Sequence, residues 1–245
     1  MSTSGPIAAE LSARTMIAPG IADLSFTLRS PRRLEFQAGQ FVSITVDPAA
    51  VPSSTARRSY SIASQSDQGE TLRFIIRVIR SGTASELLMT IPLGTVVHMT
   101  GPHGFFVLDA AHDGDIVFGA TGTGVAAIMP MLGELARTGG AGAPHGRRLL
   151  FWGLRHESDL FAREEIAGLC RQADTELLIY LTAPGQGWSG RHGRITAAIL
   201  ERLPELRSPT FYLVGNGAMI TELKRELVQR GVNRKKQIRT EAFFD

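Results

Sequence analysis

The residues of this 245-residue chain best suited to chemistry are glycines beside helix starts and a pair of arginines beside an aromatic strand. In the second half, Asp115-Ile116-Val117-Phe118-Gly119-Ala120 runs into Thr121-Gly122-Thr123-Gly124-Val125 and then directly into an apolar helical pattern. Glycines let a backbone turn tightly and approach an anion, and the free N–H groups and positive dipole end of the next helix favour a pyrophosphate. The dinucleotide fingerprint is incomplete, because Ala127 stands where the third glycine would be. Taken alone, the loop is equally a glycine-rich turn feeding an ordinary αβ unit. A second loop, Ser81-Gly82-Thr83-Ala84-Ser85, enters a short helical pattern and offers another helix N-terminus to an anion. Ser85 or Thr83 equally serves there as a plain N-cap. Arg57 and Arg58, beside Ser59-Tyr60-Ser61-Ile62, supply what a cap lacks: fixed positive charge for phosphate and an aromatic face for a planar ring.

Other chemistries lack their residues. No serine sits in a GxSxG elbow, and the six histidines do not fall at metal-ligand spacing, so His103 and His112 read as surface or hydrogen-bonded loop residues. One cysteine, Cys170, excludes an internal disulfide framework and any iron-sulfur or zinc site built from several thiolates of this chain. Two anion seats without a nucleophile or metal cluster point to organic cofactors as the carriers of the reaction. The net charge of +3 is mild, and no basic stripe interleaved with aromatics marks a nucleic-acid binder. The basic stretch Arg230 to Arg239 could dock an acidic carrier through charge steering, although a charge run beside a helix end is usually a solvated face. The N-terminal residues lack a basic region followed by an apolar stretch of signal-peptide length, and no later window approaches a membrane span, so the expected location is the cytoplasm.

Two kinds of scaffold must position these residues. From Leu24 to about Leu108 the chain reads as short strands (LSFTLRS, QFVSITV, RRSYSIAS, TLRFIIRVIR and TVVHMTGP), with one helix through Ser85 to Met89 that stops before Pro92. Such a succession predicts a small antiparallel β-barrel. After Ala110 the texture alternates: strand Asp115 to Phe118, helix Ala126 to Arg137, strand Arg148 to Trp152, helix Leu160 to Gln172, strand Glu176 to Leu181, helix Ile195 to Leu203, strand Thr210 to Val214 and helix Ala218 to Arg230. That pattern predicts an α/β domain with a parallel sheet covered on both faces. The expected division is a barrel domain over 1–111 and a nucleotide-binding domain over 112–245.

The order of motifs resembles the ferredoxin-NADP reductase superfamily. From Gly39-Gln40-Phe41 onward, the likeness runs through Arg58-Ser59-Tyr60-Ser61, Gly82-Thr83-Ala84-Ser85, Gly101-Pro102-His103-Gly104, Thr121-Gly122-Thr123-Gly124, Val214-Gly215-Asn216-Gly217 and the terminal Glu241-Ala242-Phe243-Phe244-Asp245. The resemblance implies FAD in the barrel, a nicotinamide nucleotide in the second domain, and hydride exchange between them. It implies that Arg58 pairs with the flavin pyrophosphate, Tyr60 stacks on the isoalloxazine, and Ser61 hydrogen-bonds near flavin N5, with Ile62 as a further cofactor-binding residue of the same strand. By the same resemblance, Ile75, Ile76 and Arg77 would flank the FAD phosphates and ribose, and Gly82, Thr83, Ala84 and Ser85 would seat the pyrophosphate, favouring FAD over FMN. Thr121, Gly122, Thr123, Gly124 and Val125 would cradle the nicotinamide nucleotide, while Gly215, Asn216, Gly217 and Met219 would shape the nicotinamide side of its pocket. Val214 occupies the place of a cysteine usual in the family. Glu241, Phe243 and Phe244 resemble a tail that covers the flavin; the plain alternative is a buried final strand with two core phenylalanines.

A Ser-Arg pair that reads the 2'-phosphate in NADP-using relatives is replaced by Thr182-Ala183-Pro184, which leans the expected NAD(P)H use towards NADH, although Arg155, Arg191 or Arg194 could reach a phosphate. The leading function is an NAD(P)H reductase feeding a separate ferredoxin, flavodoxin or Rieske-type protein. The alternatives are a flavin or quinone reductase with a diffusible acceptor, a non-catalytic electron-transfer subunit of a larger oxidoreductase, and a nucleotide-binding sensor.

Overall fold

The computed structural model describes residues 6–46, 56–79, 84–109, 113–138 and 146–243. The chain divides into two compact units, Met1–Phe105 and Phe106–Asp245.

The first unit contains β1 (Ile7–Ala18), β2 (Ile21–Ser30), β3 (Phe41–Val46), β4 (Ala56–Ser61), β5 (Thr71–Arg77), the helix α1 (Ala84–Thr90) and β6 (Val96–His103). The strands form one six-stranded antiparallel sheet in the order β4-β3-β6-β1-β2-β5. Just past β4, the Ala63 N–H donates to the Arg73 carbonyl at 2.8 Å, so the chain leaving one edge strand bonds to the other and curls the sheet towards closure. Period-2 alternation puts Leu24, Phe26 and Leu28 of β2 inside, where they meet Val42, Ile44, Phe74 and Met99 in one core. α1 plugs this core with Ala84 and Leu88. Its C-terminal carbonyls are satisfied by Arg14, whose Nη1 donates to Leu88 O at 3.0 Å and Ile91 O at 2.7 Å.

β1 is a strand the sequence did not announce. Its residues, IAAELSARTMIA, are mostly good helix formers, and only Ile7, Ala9 and Leu11 face the core. Pairing with both β2 and β6 decides the conformation against local propensity.

The second unit contains β7 (Ile116–Thr121), α2 (Val125–Thr138), β8 (Arg148–Leu154), α3 (Arg163–Gln172), β9 (Glu176–Leu181), β10 (Arg191–His192), α4 (Ile195–Arg202), β11 (Thr210–Asn216), α5 (Gly217–Gln229), α6 (Arg234–Gln237) and β12 (Ile238–Phe243). All strands are parallel, in the order β10-β9-β8-β7-β11-β12. β7 is therefore the strand from which the order departs in both directions, and the topological switch point lies between β7 and β11. Val117 and Phe118 in β7, Leu149 to Trp152 in β8 and Phe211 to Val214 in β11 are buried runs, as expected for a sheet covered on both faces.

Asp115 staples the opposite end of this sheet. Its side chain is buried, and its two carboxylate oxygens accept from Arg147 N and Arg207 N, each at 2.7 Å, joining the approaches to β7, β8 and β11. The entry to the unit is anchored similarly: Phe106 is buried edge-to-face against Tyr212 with ring centroids 6.0 Å apart, and the Asp109 N–H donates to the Tyr212 hydroxyl oxygen at 2.9 Å. Burial pushes the Tyr212 phenol above its ordinary range, so it remains neutral.

Candidate functional site

In the first unit the candidate residues converge on β4. Alternation places Arg58 and Tyr60 on one face and Arg57, Ser59 and Ser61 on the other, with register Ile44↔Arg58, Val42↔Tyr60 and Phe41↔Ser61. Tyr60 packs against the barrel core while remaining partly exposed. Burial pushes its phenol up to about 12, the Arg58 charge opposing that shift, so Tyr60 presents a neutral ring. Arg58 is exposed, and among the described residues its Nη1 donates to the neighbouring Arg57 carbonyl at 2.9 Å. An exposed guanidinium beside a half-covered aromatic ring fits a phosphate and a planar heterocycle of one ligand. Arg57 serves the other face, where Nη2 donates to Thr100 Oγ1 at 2.9 Å and that hydroxyl lies 3.3 Å from His103 Nε2. Ser61 is buried and bonded within the protein. The Ile62 side chain lies fully inside the core, and its N–H donates to Gln40 O at 3.0 Å.

On β5, Ile75 and Ile76 are buried and Arg77 is exposed. Gly82 and Thr83 lie outside the described residues. Ala84 opens α1 as a buried residue, and the Ser85 hydroxyl accepts from Ile79 N at 3.0 Å, tying the preceding segment to the helix.

In the second unit, the candidate loop occupies the C-terminal edge of the parallel sheet at the switch point, the place where open α/β sheets bind ligands. Gly122 to Gly124 make a single 3₁₀ turn that leads into α2 at Val125. Gly122 has φ +54°, which favours glycine, and nothing lies within 4 Å of where a Cβ would stand. At Gly124 the reason is proximity: a Cβ would lie 2.9 Å from the Val214 carbonyl oxygen and 3.2 Å from Gly215 Cα. Two further contacts fix the turn. The buried Trp152 donates its indole N–H to Gly122 O at 3.0 Å, and Thr121 Oγ1 accepts from Asn216 N at 2.8 Å. The cradle is thus held in shape by the protein itself, and its open side at Gly122 leaves room for an anion.

The VGNG segment forms the other wall of this cradle. Asn216 caps α5, its Oδ1 accepting from Met219 N at 3.0 Å, while the Met219 side chain is buried in the core and Gly217 begins the helix. Val214 is fully buried. β12 lies beside this strand in the register Val214↔Glu241, Gly215↔Ala242 and Asn216↔Phe243. Glu241 and Phe243 are both half-buried, so the tail is a strand whose phenylalanine is not enclosed in the core. Phe244 lies outside the described residues.

The same edge carries the loops after β8 and β9. His156 Nδ1 lies 2.7 Å from the Ala183 carbonyl oxygen. A carbonyl only accepts, so Nδ1 carries a proton and Nε2 is the ring nitrogen left to face a ligand. Asp159 accepts from the His156 N–H at 2.9 Å, and a Cβ on Gly185 would lie 3.2 Å from Glu157 Oε2, so two carboxylates stand in these loops. Arg191 turns to Glu176, at the far end of β9, with a separation of 4.0 Å, whereas Arg155 and Arg194 are exposed. Sequence reasoning singled out neither Trp152 nor His156. A tryptophan inside a strand run, which must find an acceptor when buried, was the available signal for the first.

The basic run lies at the other end of the sheet. Arg234, Lys235 and Lys236 precede the first residue of β12, Ile238, which lies five residues or roughly 17 Å from Phe243. Among the described residues no group of three or more His, Cys, Asp or Glu is arranged to hold a metal, and no helix is long and apolar enough to cross a membrane.

Two family models match this chain. An oxidoreductase FAD-binding domain family matches residues 8–108, and an oxidoreductase NAD-binding domain family matches residues 118–225. The chain is 32% identical over 239 residues to ferredoxin--NADP reductase B of Sorangium cellulosum (strain So ce56), covering 94% of this chain and 95% of that one. It is 27% identical to the ferredoxin--NAD(P)(+) reductase component of the naphthalene 1,2-dioxygenase/salicylate 5-hydroxylase systems of a Ralstonia species, of whose length it spans 60%. Among solved structures, the Amycolatopsis cytochrome P450 reductase GcoB superposes with a TM-score of 0.84 at 27% identity, over 99% of this chain and 71% of that one.

Proposed function

The chain belongs to the ferredoxin-NADP reductase superfamily, and from that premise we propose that it is an FAD-dependent NAD(P)H reductase passing electrons to a separate ferredoxin, flavodoxin or Rieske-type protein. The observation that carries the proposal is the preformed anion cradle at the β7/β11 switch point, on the same chain as a barrel strand that pairs an exposed Arg58 with the half-covered ring of Tyr60.

The residues present fit both nucleotides. Arg58 would hold the FAD pyrophosphate, with Arg77 and the start of α1 near the phosphates and ribose, and Tyr60 would stack on the isoalloxazine. Ser61 would donate or accept a hydrogen bond at flavin N5, orienting the ring. The turn from Thr121 to Val125 would take the pyrophosphate of the nicotinamide nucleotide, and Gly215 to Met219 would bound its nicotinamide end. When bound, the flavin supplies the means to take two electrons together and release them one at a time. The protein's part is orientation and exclusion of water, which by themselves lower a barrier substantially. Glu241 and Phe243, held beside Val214 and Asn216 by strand pairing, would form the movable cover of the site.

The nucleotide is NADH more than NADPH in this proposal. Arg191 is drawn towards Glu176, and the carboxylates of Glu157 and Asp159 stand in the loops at this edge, a setting that disfavours a 2'-phosphate. The proposed location is the cytoplasm, where a single buried thiol, Cys170, and a supply of nicotinamide nucleotide are at home.

Steady-state turnover tests the acceptor. With NADH as donor, the rate should saturate with micromolar ferredoxin or Rieske protein. Turnover with quinones or free flavins alone would replace this reading by that of a small-acceptor reductase.

A further inference from the structure

One polar side chain at the nucleotide edge is committed to the end of another strand. Thr121 is the last residue of β7, yet its hydroxyl accepts the backbone N–H of Asn216, the last residue of β11, at 2.8 Å. The approach is close because residue 215 is glycine. Gly215 has φ +114°, and a Cβ there would stand inside van der Waals contact of Thr121 Oγ1 and 2.7 Å from Thr121 O. Asn216 has two more engagements. Its side-chain oxygen accepts from Met219 N at 3.0 Å to start α5, and it sits opposite Phe243 in the pairing of β11 with β12.

We infer that Thr121 is a positioning residue, whose hydroxyl ties the phosphate turn to Asn216 and thereby sets both the nicotinamide-side wall and the register of the C-terminal strand. The physical reasoning concerns a single donor. The Asn216 N–H points across the switch point, and without Thr121 Oγ1 it has water or nothing as its partner. The end of β11 is then free to drift from β7, and Phe243 moves with it through strand pairing. Phosphate contacts made by backbone amides of the turn survive such a drift, because Trp152 still holds Gly122. Nucleotide affinity therefore changes little, while the alignment needed for reaction is lost. A near-attack geometry tolerates little displacement, and a misplacement of about 1 Å costs up to roughly a hundredfold in rate.

The kinetic part rests on the reductase reading; the coupling of Thr121 to β12 does not. Two variants separate them. Thr121→Val keeps shape but removes the acceptor, and Thr121→Ser restores it. Amide hydrogen exchange on the FAD-loaded protein without nicotinamide nucleotide should show Asn216 and the amides of residues 241–243 exchanging at least about tenfold faster in Thr121→Val than in the parent, with Thr121→Ser close to the parent. In anaerobic stopped-flow with NADH, the limiting rate of flavin reduction should fall about tenfold or more in Thr121→Val while the nucleotide Kd moves less than about threefold, again with rescue by Thr121→Ser. Unchanged exchange at Asn216 and residues 241–243 overturns the proposal. So does faster exchange with an unchanged limiting rate, or a loss confined to Kd. If the parent itself is not reduced by either nucleotide, the reductase reading fails and exchange alone decides the coupling.

Discussion

The two glycines of the phosphate turn make opposite demands on a methyl group. At Gly124 a Cβ would lie 2.9 Å from Val214 O, 3.1 Å from Val214 C and 3.2 Å from Gly215 Cα, all backbone atoms of a central strand that no rotamer change can move. Relief requires the turn to shift by several tenths of an ångström away from β11, and overpacking of that kind costs about 1–3 kcal/mol. At Gly122 no atom lies within 4 Å of the Cβ position, so the cost of alanine is the left-handed φ of +54° alone, about 1–2 kcal/mol. Asparagine tolerates that conformation better than alanine. The expected order of thermal stability is therefore parent, Gly122→Asn, Gly122→Ala, Gly124→Ala. For a chain of this size about 1 kcal/mol corresponds to roughly 2–4 °C, so Gly124→Ala should melt some 2–12 °C lower. Binding should separate them further: displacement of the turn weakens NAD(P)H by about tenfold or more in Gly124→Ala, equivalent to about 1.4 kcal/mol. Calorimetric titration and differential scanning on the same samples measure both. Parental stability and affinity in Gly124→Ala would refute the contact on which the cradle is built.

Asp115→Ala leaves the Arg147 and Arg207 amides without their acceptor at the sheet's far end and should lower stability by about 2–4 kcal/mol, read from denaturant midpoints. A midpoint within experimental error of the parent's would deny the staple. Ser61→Ala should retain FAD, judged by absorbance after gel filtration, and slow flavin reduction at least about tenfold; loss of FAD would remove Ser61 from the proposed role. Burial pushes the Cys170 thiol from 9.0 up to about 12, the Arg171 charge opposing. The folded state therefore favours the protonated thiol: its contribution is whole below pH 9 and is lost as pH rises from 9 towards 12. Cys170→Ala should lose less stability than the parent between pH 8 and pH 10.5, and identical losses would contradict this.

Much of the architecture was readable because periodicity and punctuation agreed with the fold. The βα alternation from β7 to α5 emerged with element ends shifted by a few residues, since hydrophobic runs bounded by glycine and proline mark buried parallel strands. β1 was hidden by helix-forming residues whose strand partners are remote in sequence. β10 and α6 were too short to leave a pattern, being two and four residues long. At the site, the glycines and arginines were visible as types, but their physical reasons were not. The proximity of Gly124 to Val214 joins residues ninety apart in the chain, and the Thr121–Asn216 bond ninety-five apart. The basic run at Arg234 to Lys236 left both a solvated face and a carrier-docking surface open in the sequence, and its place, at the strand end away from the nucleotide turn, comes only from the parallel register.

Anaerobic stopped-flow mixing of the FAD-loaded protein with NADH, and separately with NADPH, tests the central claim most directly. The account predicts rapid loss of oxidised flavin absorbance with NADH and a slower loss with NADPH. Absorbance unchanged by either nucleotide would contradict it.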